Sequence, residues 1–179
     1  LSEKIQKQLY LFERLPENYG LVYSWMDYYD QNNCIIEKHH PTLRGNVFHK
    51  VLDAQRIGGC PTLLVRREVI NKIGTFDESL PRGNDGDFIR RICQQYKVDY
   101  IAETLVKVNI GHKSERISSN SRKSIINAIH SEQVKLNKFS VDLINLPKIH
   151  AAILIKIANH YSYLGIHNKA YEFEKQAMK

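Results

Sequence analysis

Residues 74–88 read Gly-Thr-Phe-Asp-Glu-Ser-Leu-Pro-Arg-Gly-Asn-Asp-Gly-Asp-Phe, and they place four carboxylates, Asp77, Glu78, Asp85 and Asp87, in a loop punctuated by glycine and proline. The loop runs directly into an amphipathic segment. A carboxylate at the start of a helix is fixed in direction by the backbone and stabilised as an anion by the helix dipole. Those properties suit a helix cap, and equally a general base that takes a proton from a hydroxyl. Asn84 or Asp85 occupies the expected N-cap position. From these residues alone both roles stand for Asp85, and Asp87 reads either as a first-turn acid or as part of a site. Arg82 in the same loop is suited to meet a phosphate, or simply to pair with Asp77 or Glu78.

The elements that must position these side chains follow from periodicity. Residues 87–97 form a helix with Phe88, Ile89, Ile92, Cys93 and Tyr96 on one face. Upstream, residues 67–73 read as a short helix stopped by Gly74, and residues 62–65 as a short buried strand. Residues 1–15 carry the apolar recurrence of a helix, ended at Pro16. The aromatic and β-branched run at 19–26, the turn Asp30-Gln31-Asn32-Asn33 and the return at 34–36 predict a hairpin over 21–37. Residues 45–52 are a candidate helix, and Gly58-Gly59-Cys60-Pro61 is a break. Residues 99–102 and 105–108 read as two strand-like pieces. The polar stretch 111–121 reads as a mobile loop, followed by a helix over 121–138 and a helical pair between Pro147 and Met178, broken near Gly165. The fold class expected is therefore α/β, a mixed sheet with flanking helices over residues 1–120, followed by an all-α tail over 121–179.

With 179 residues, 42% of them hydrophobic, the chain has the makeup of a globular protein with a real core, either one domain or a domain with an appendage. No apolar run is long enough to cross a bilayer, since Lys156 interrupts the best one at 151–155, and no secretory leader is visible. We therefore expect a cytoplasmic protein, with peripheral attachment at the inner face of the membrane as an option. Cys34, Cys60 and Cys93 show no metal-binding spacing and read as reduced thiols. The histidines at 39, 40, 130, 150, 160 and 167 show no ligand spacing either. The chain opens on Leu1, with helix-like sequence at once, so it reads as a piece of a longer protein.

The formal net charge is +7, and residues 107–179 hold all of it, with 12 Lys/Arg against 5 Asp/Glu. Residues 1–106 balance at 14 of each. A basic tail fits an anionic membrane surface, a phosphorylated ligand or nucleic acid, or else a plain solvated helical face. No RNP, KH or zinc pattern accompanies the charge, so nucleic acid is not expected.

The order and spacing of several short motifs resemble one family. The series Gly59-x-Pro61-Thr62-x-Leu64-Val65-Arg66-Arg67-x-Val69-x-x-x-Ile73-Gly74-x-Phe76-Asp77-Glu78-x-Leu80, then Asn84-Asp85-x-Asp87-Phe88 and Arg90-Arg91, resembles the C-terminal half of the catalytic domain of family 2 glycosyltransferases. Residues 1–12 are similar to the helix after that family's metal-binding DxD motif, Tyr19–Ser24 to the next strand, and Val106–Ser119 to the segment closing the domain. The resemblance covers about residues 1–120. It implies a GT-A fold and inverting transfer of a sugar from a nucleotide-sugar to an acceptor hydroxyl, in polysaccharide or glycoconjugate synthesis. It also implies a saccharide or lipid-linked acceptor and a divalent metal, Mn or Mg.

On this resemblance Asp85 is the catalytic base, and Asn84 stands where the family has Glu. Asp87, Arg82, Trp25 and Gly59 join Asn84 as acceptor-binding candidates. The alternative for Trp25 is an ordinary core or surface aromatic, and Gly58-Gly59 reads equally as a plain turn. His112 is a candidate metal ligand, with a loop histidine as the alternative. Although Asp85-Gly86-Asp87 spells DxD, its position marks it as the base region. The metal-binding DxD and the donor-binding half would precede Leu1, which would leave this chain inactive by itself. Within the tail, Ala158, Tyr161, Gly165 and Ala170 are spaced as in one tetratricopeptide-type hairpin, or an ordinary helical hairpin. The alternative function is a non-catalytic binding module that docks a partner protein or an anionic membrane through its basic tail.

Overall fold

The computed structural model describes residues 3–110 and 121–178. Its contacts divide the chain into two compact units, and the division does not fall at one point in the sequence. One unit takes the residues up to Phe76 and resumes at Phe88 through the last strand. The other joins Asp77–Asp87 to the C-terminal helices.

The first unit is built on a mixed four-stranded sheet. Helix α1, Lys4–Phe12, precedes strand β1, Tyr19–Tyr29, whose aromatic and β-branched residues are buried over most of its length. On one edge β1 pairs antiparallel with β3, Leu63–Val65, through Leu21–Tyr23, and with β2, Ile35–His39, through Met26–Tyr29. On its other edge it runs parallel to β4, Lys97–Asn109. The expected hairpin is thus present. The two strand-like pieces after residue 97 are one 13-residue strand instead. Register shifts at Ser24, Trp25 and Met26 absorb the irregular stretch around Glu103, so pairing with β1 continues past it. Trp25 lies within β1, as the run at 19–26 predicts.

The helix expected over 45–52 shrinks to one turn, α2 at Phe48–Val51, and Gly45 makes a bridge to Val98 of β4 instead. Helix α3, Arg67–Ile73, ends as expected at Gly74, whose φ of +80° is the left-handed conformation that glycine adopts without penalty. Helix α4, Asn84–Gln95, packs Phe88, Ile89, Ile92 and Cys93 against Leu21, Tyr23 and Val98 of the sheet and against Val47, Val51, Ile57 and Val69. Two arginines of α4 secure that packing. Arg90, itself buried, donates to the carbonyls of Val51 and Leu52, and Arg91 donates to those of Ile73 and Thr75 at the end of α3.

The second unit contains α5, Arg122–Lys138; α6, Ser140–Ile144; α7, Pro147–Tyr163; and α8, His167–Ala177. Ser121 caps α5 by accepting from the Ser124 amide at 3.3 Å. Helices α7 and α8 form the expected hairpin around Gly165, with Ala158 and Ala170 buried where the helices touch and Tyr161 stacked on Phe173. No helix among the described residues is long and apolar enough to cross a membrane.

Candidate active site

The acidic loop and the first turn of α4 lie within the helical unit, and α5 fastens them there. Helix α4 begins earlier than expected. The carbonyl of Gly83 accepts from the Asp87 amide at 3.0 Å, so Gly83 caps the helix, and Asn84 and Asp85 fall inside its first turn. The sequence Asn84-Asp85-Gly86-Asp87 has the composition of a turn, which hides this. The acids instead gain from the dipole of the turn they occupy. Gly83 has φ of +77°, a conformation that makes the cap a glycine position. The Asn84 Oδ1 accepts from the Asp85 amide and the Asp85 Oδ1 from the Gly86 amide, each at 2.8 Å. Asn84 is exposed and Asp85 half-buried.

Asp87 is buried, and its Oδ1 receives the Lys138 ammonium at 2.7 Å. The same ammonium donates to Asp77 Oδ2 at 2.8 Å. The other oxygen of Asp77 accepts from Ser79 Oγ at 2.6 Å and from the Ser79 amide at 3.1 Å. Lys138 first, and Ser79 after it, hold the Asp77 carboxyl well below the usual carboxylate range. In mid-loop, Arg82 pairs with neither Asp77 nor Glu78. It donates to Ser124 at the carbonyl and, at 2.8 Å, at Oγ. Ser131 Oγ returns a bond to the Arg82 carbonyl at 2.5 Å. Beneath this, buried Glu132 takes Lys135 at 2.5 Å and Lys156 at 2.6 Å. Burial opposes its ionisation, but the two ammoniums prevail and its pKa is lowered.

Over the described residues of the helical unit, nine Lys/Arg stand against eight Asp/Glu, because the acidic loop belongs to the same unit as the basic tail.

Of the candidate residues, the structure brings together Arg82, Asn84, Asp85 and Asp87. Trp25 and Gly59 belong to the sheet unit. The Gly59 carbonyl accepts from Thr62 N and Oγ1 in a one-turn 3-10 helix, Cys60–Thr62, which fits a plain turn. The Trp25 indole stacks on His40 with centroids 4.4 Å apart, and its Nε1 donates to the Pro41 carbonyl at 2.8 Å. His112 lies outside the described residues.

One constellation escaped sequence reasoning. The His40 Nε2 lies 2.7 Å from Oδ1 of buried Asp27 and 3.1 Å from Thr104 Oγ1. Two signals pointed there. Strand alternation puts Tyr23, Trp25 and Asp27 on one face of β1. The hairpin register pairs Met26 with His39, which sets His40 beside Trp25. The second signal was readable only once the register was known.

No protein-family model matches the chain. Over 120 residues, 66% of its length, the chain is 28% identical to an uncharacterised glycosyltransferase of the archaeon Methanocaldococcus jannaschii. The matched stretch spans 41% of that relative.

Proposed function

We propose that this chain is the acceptor-side part of an inverting glycosyltransferase of the GT-A type, with Asp85 as its catalytic base. One observation carries the reading. Asp85 is a half-buried carboxylate oriented by the first turn of α4, while Asp87, the other acid of that turn, is neutralised by Lys138. A carboxylate directed in this way at a stabilised helix start is suited to work as a base. Asn84, exposed beside it, is placed to contact the acceptor, whereas Arg82 and Asp87 hold the loop.

Asp85 takes the proton of a saccharide or lipid-linked acceptor hydroxyl as the oxygen bonds to the anomeric carbon. The bond from that carbon to the nucleotide diphosphate breaks on the opposite side, and the configuration inverts. Among the described residues, no group of three or more His, Cys, Asp or Glu side chains could hold a metal ion. Asp85-Gly86-Asp87 does not fit a cation either, because Lys138 engages Asp87. On this reading a Mn or Mg ion and the nucleotide-sugar belong to residues outside the described ones, and no step here runs through the ion.

The test is sugar transfer by the intact protein from a panel of UDP-, GDP- and dTDP-sugars onto a glycan array, wild type against Asp85→Asn. Loss of about 10²–10⁴-fold in turnover is expected for a general base. Equal turnover by the two proteins would sink the base assignment.

A further inference from the structure

Lys138 stands in the last turn of α5, 51 positions beyond Asp87 and 61 beyond Asp77, yet one ammonium serves both carboxylates. These two acids bracket the loop. Asp77 lies at its start and Asp87 in the first turn of α4, with Asp85 two residues before it. At mid-loop the same helix makes a second fastening, where Ser131 donates to the Arg82 carbonyl and Ser124 accepts from the Arg82 guanidinium. A segment of eleven residues is therefore tied to α5 at its beginning, middle and end.

We propose that Lys138 is a positioning residue for Asp85, a role that rests on reading Asp85 as the base. The argument is mechanical and electrostatic. The Asp85 carboxylate takes its direction from the first turn of α4, through its bond to the Gly86 amide. That turn is held where it is by Asp87, whose side chain is 6% exposed and faces the Lys138 ammonium. Without the ammonium, Asp87 becomes a buried charge that has lost this cation, and the turn relieves that cost by moving toward water. Asp77 and Asp87 would also lose the cation they share, so their repulsion opens the loop at both ends. A base displaced by about an ångström loses much of its rate advantage while substrate binding elsewhere is kept.

The experiment uses the intact protein and two readouts. Lys138→Met is expected to speed amide exchange across residues 77–87 by about tenfold or more. It is expected to lower kcat for transfer from the same nucleotide-sugar panel by about 10- to 100-fold, with donor KM unchanged within about twofold. Lys138→Arg, which keeps the charge, is expected to recover most of the rate. Should Lys138→Met fail to fold, Asp77→Asn removes the more exposed arm alone and is expected to give the same changes at smaller size. Unchanged exchange in the folded variants overturns the clamp. Faster exchange with wild-type kcat, while Asp85→Asn is inactive, overturns the positioning role and leaves the base assignment standing. Wild-type turnover in Asp85→Asn brings down the base assignment and the positioning role together, whatever the exchange shows.

Discussion

Lys138 donates to the Asp87 carboxylate at 2.7 Å across 51 residues of chain, and this bond makes the acidic loop and the tail helix α5 parts of one compact unit. Lys138, Ser124 and Ser131 of that helix are groups that hold the loop in shape.

Acid should weaken this unit in a defined window. The Asp77 carboxyl is held below its ordinary value of 3.8 by Lys138 and Ser79. Its folded pKa is lower than its unfolded one. Ionised Asp77 therefore adds stability that is complete above the unfolded value and is lost as the pH falls through the range below it. Thermal melts of wild type and Asp77→Asn between about pH 7 and pH 2.5 should differ most at neutral pH and converge in acid. Curves that stay parallel over the whole range would contradict the pairing.

His40 should matter for stability although it lies outside the proposed site. The side chain of Asp27 is 7% exposed, and His40 stands 2.7 Å from it while stacked on Trp25. Removing the imidazole strips a buried carboxylate of this partner. His40→Ala is expected to cost about 1–3 kcal/mol in urea unfolding. The double variant with Asp27→Asn should cost less than the sum of the two single changes, because the groups interact directly. Strict additivity would show that the pair is not coupled.

The cysteines should react in two classes. Cys34 and Cys60 are exposed, whereas Cys93 is buried in the core with its thiol pushed up to about 12 by burial. A thiol reagent at pH 8 should modify two sites quickly in the native protein and the third only on unfolding, since the thiolate is the reactive form. Rapid modification of all three would mean that α4 does not pack as described.

Much of the fold was legible along the chain. The 3.6-residue spacing of Phe88, Ile89, Ile92 and Cys93, the stop at Gly74, the hairpin after β1 and the helical pair around Gly165 all follow from short-range backbone preference and from one apolar face per element. The resemblance also singled out Asp85, the carboxylate that the proposed function takes as its base.

Other features were not legible, because they depend on which surfaces meet. Residues 84–87 have the composition of a turn, yet they open a helix capped by Gly83, since the rest of α4 is anchored in the core. Two apolar pieces became the single strand β4, because pairing with β1 bridges the irregular stretch between them. His40 acquired a partner only through the hairpin register. By itself the sequence determined most of the elements, though not all of their bounds, together with the candidate base and the count of charges. Tertiary structure alone decided where those charges are spent. The acids of the loop and the bases of the tail lie far apart along the chain and meet at hydrogen-bond distance only once the chain has folded.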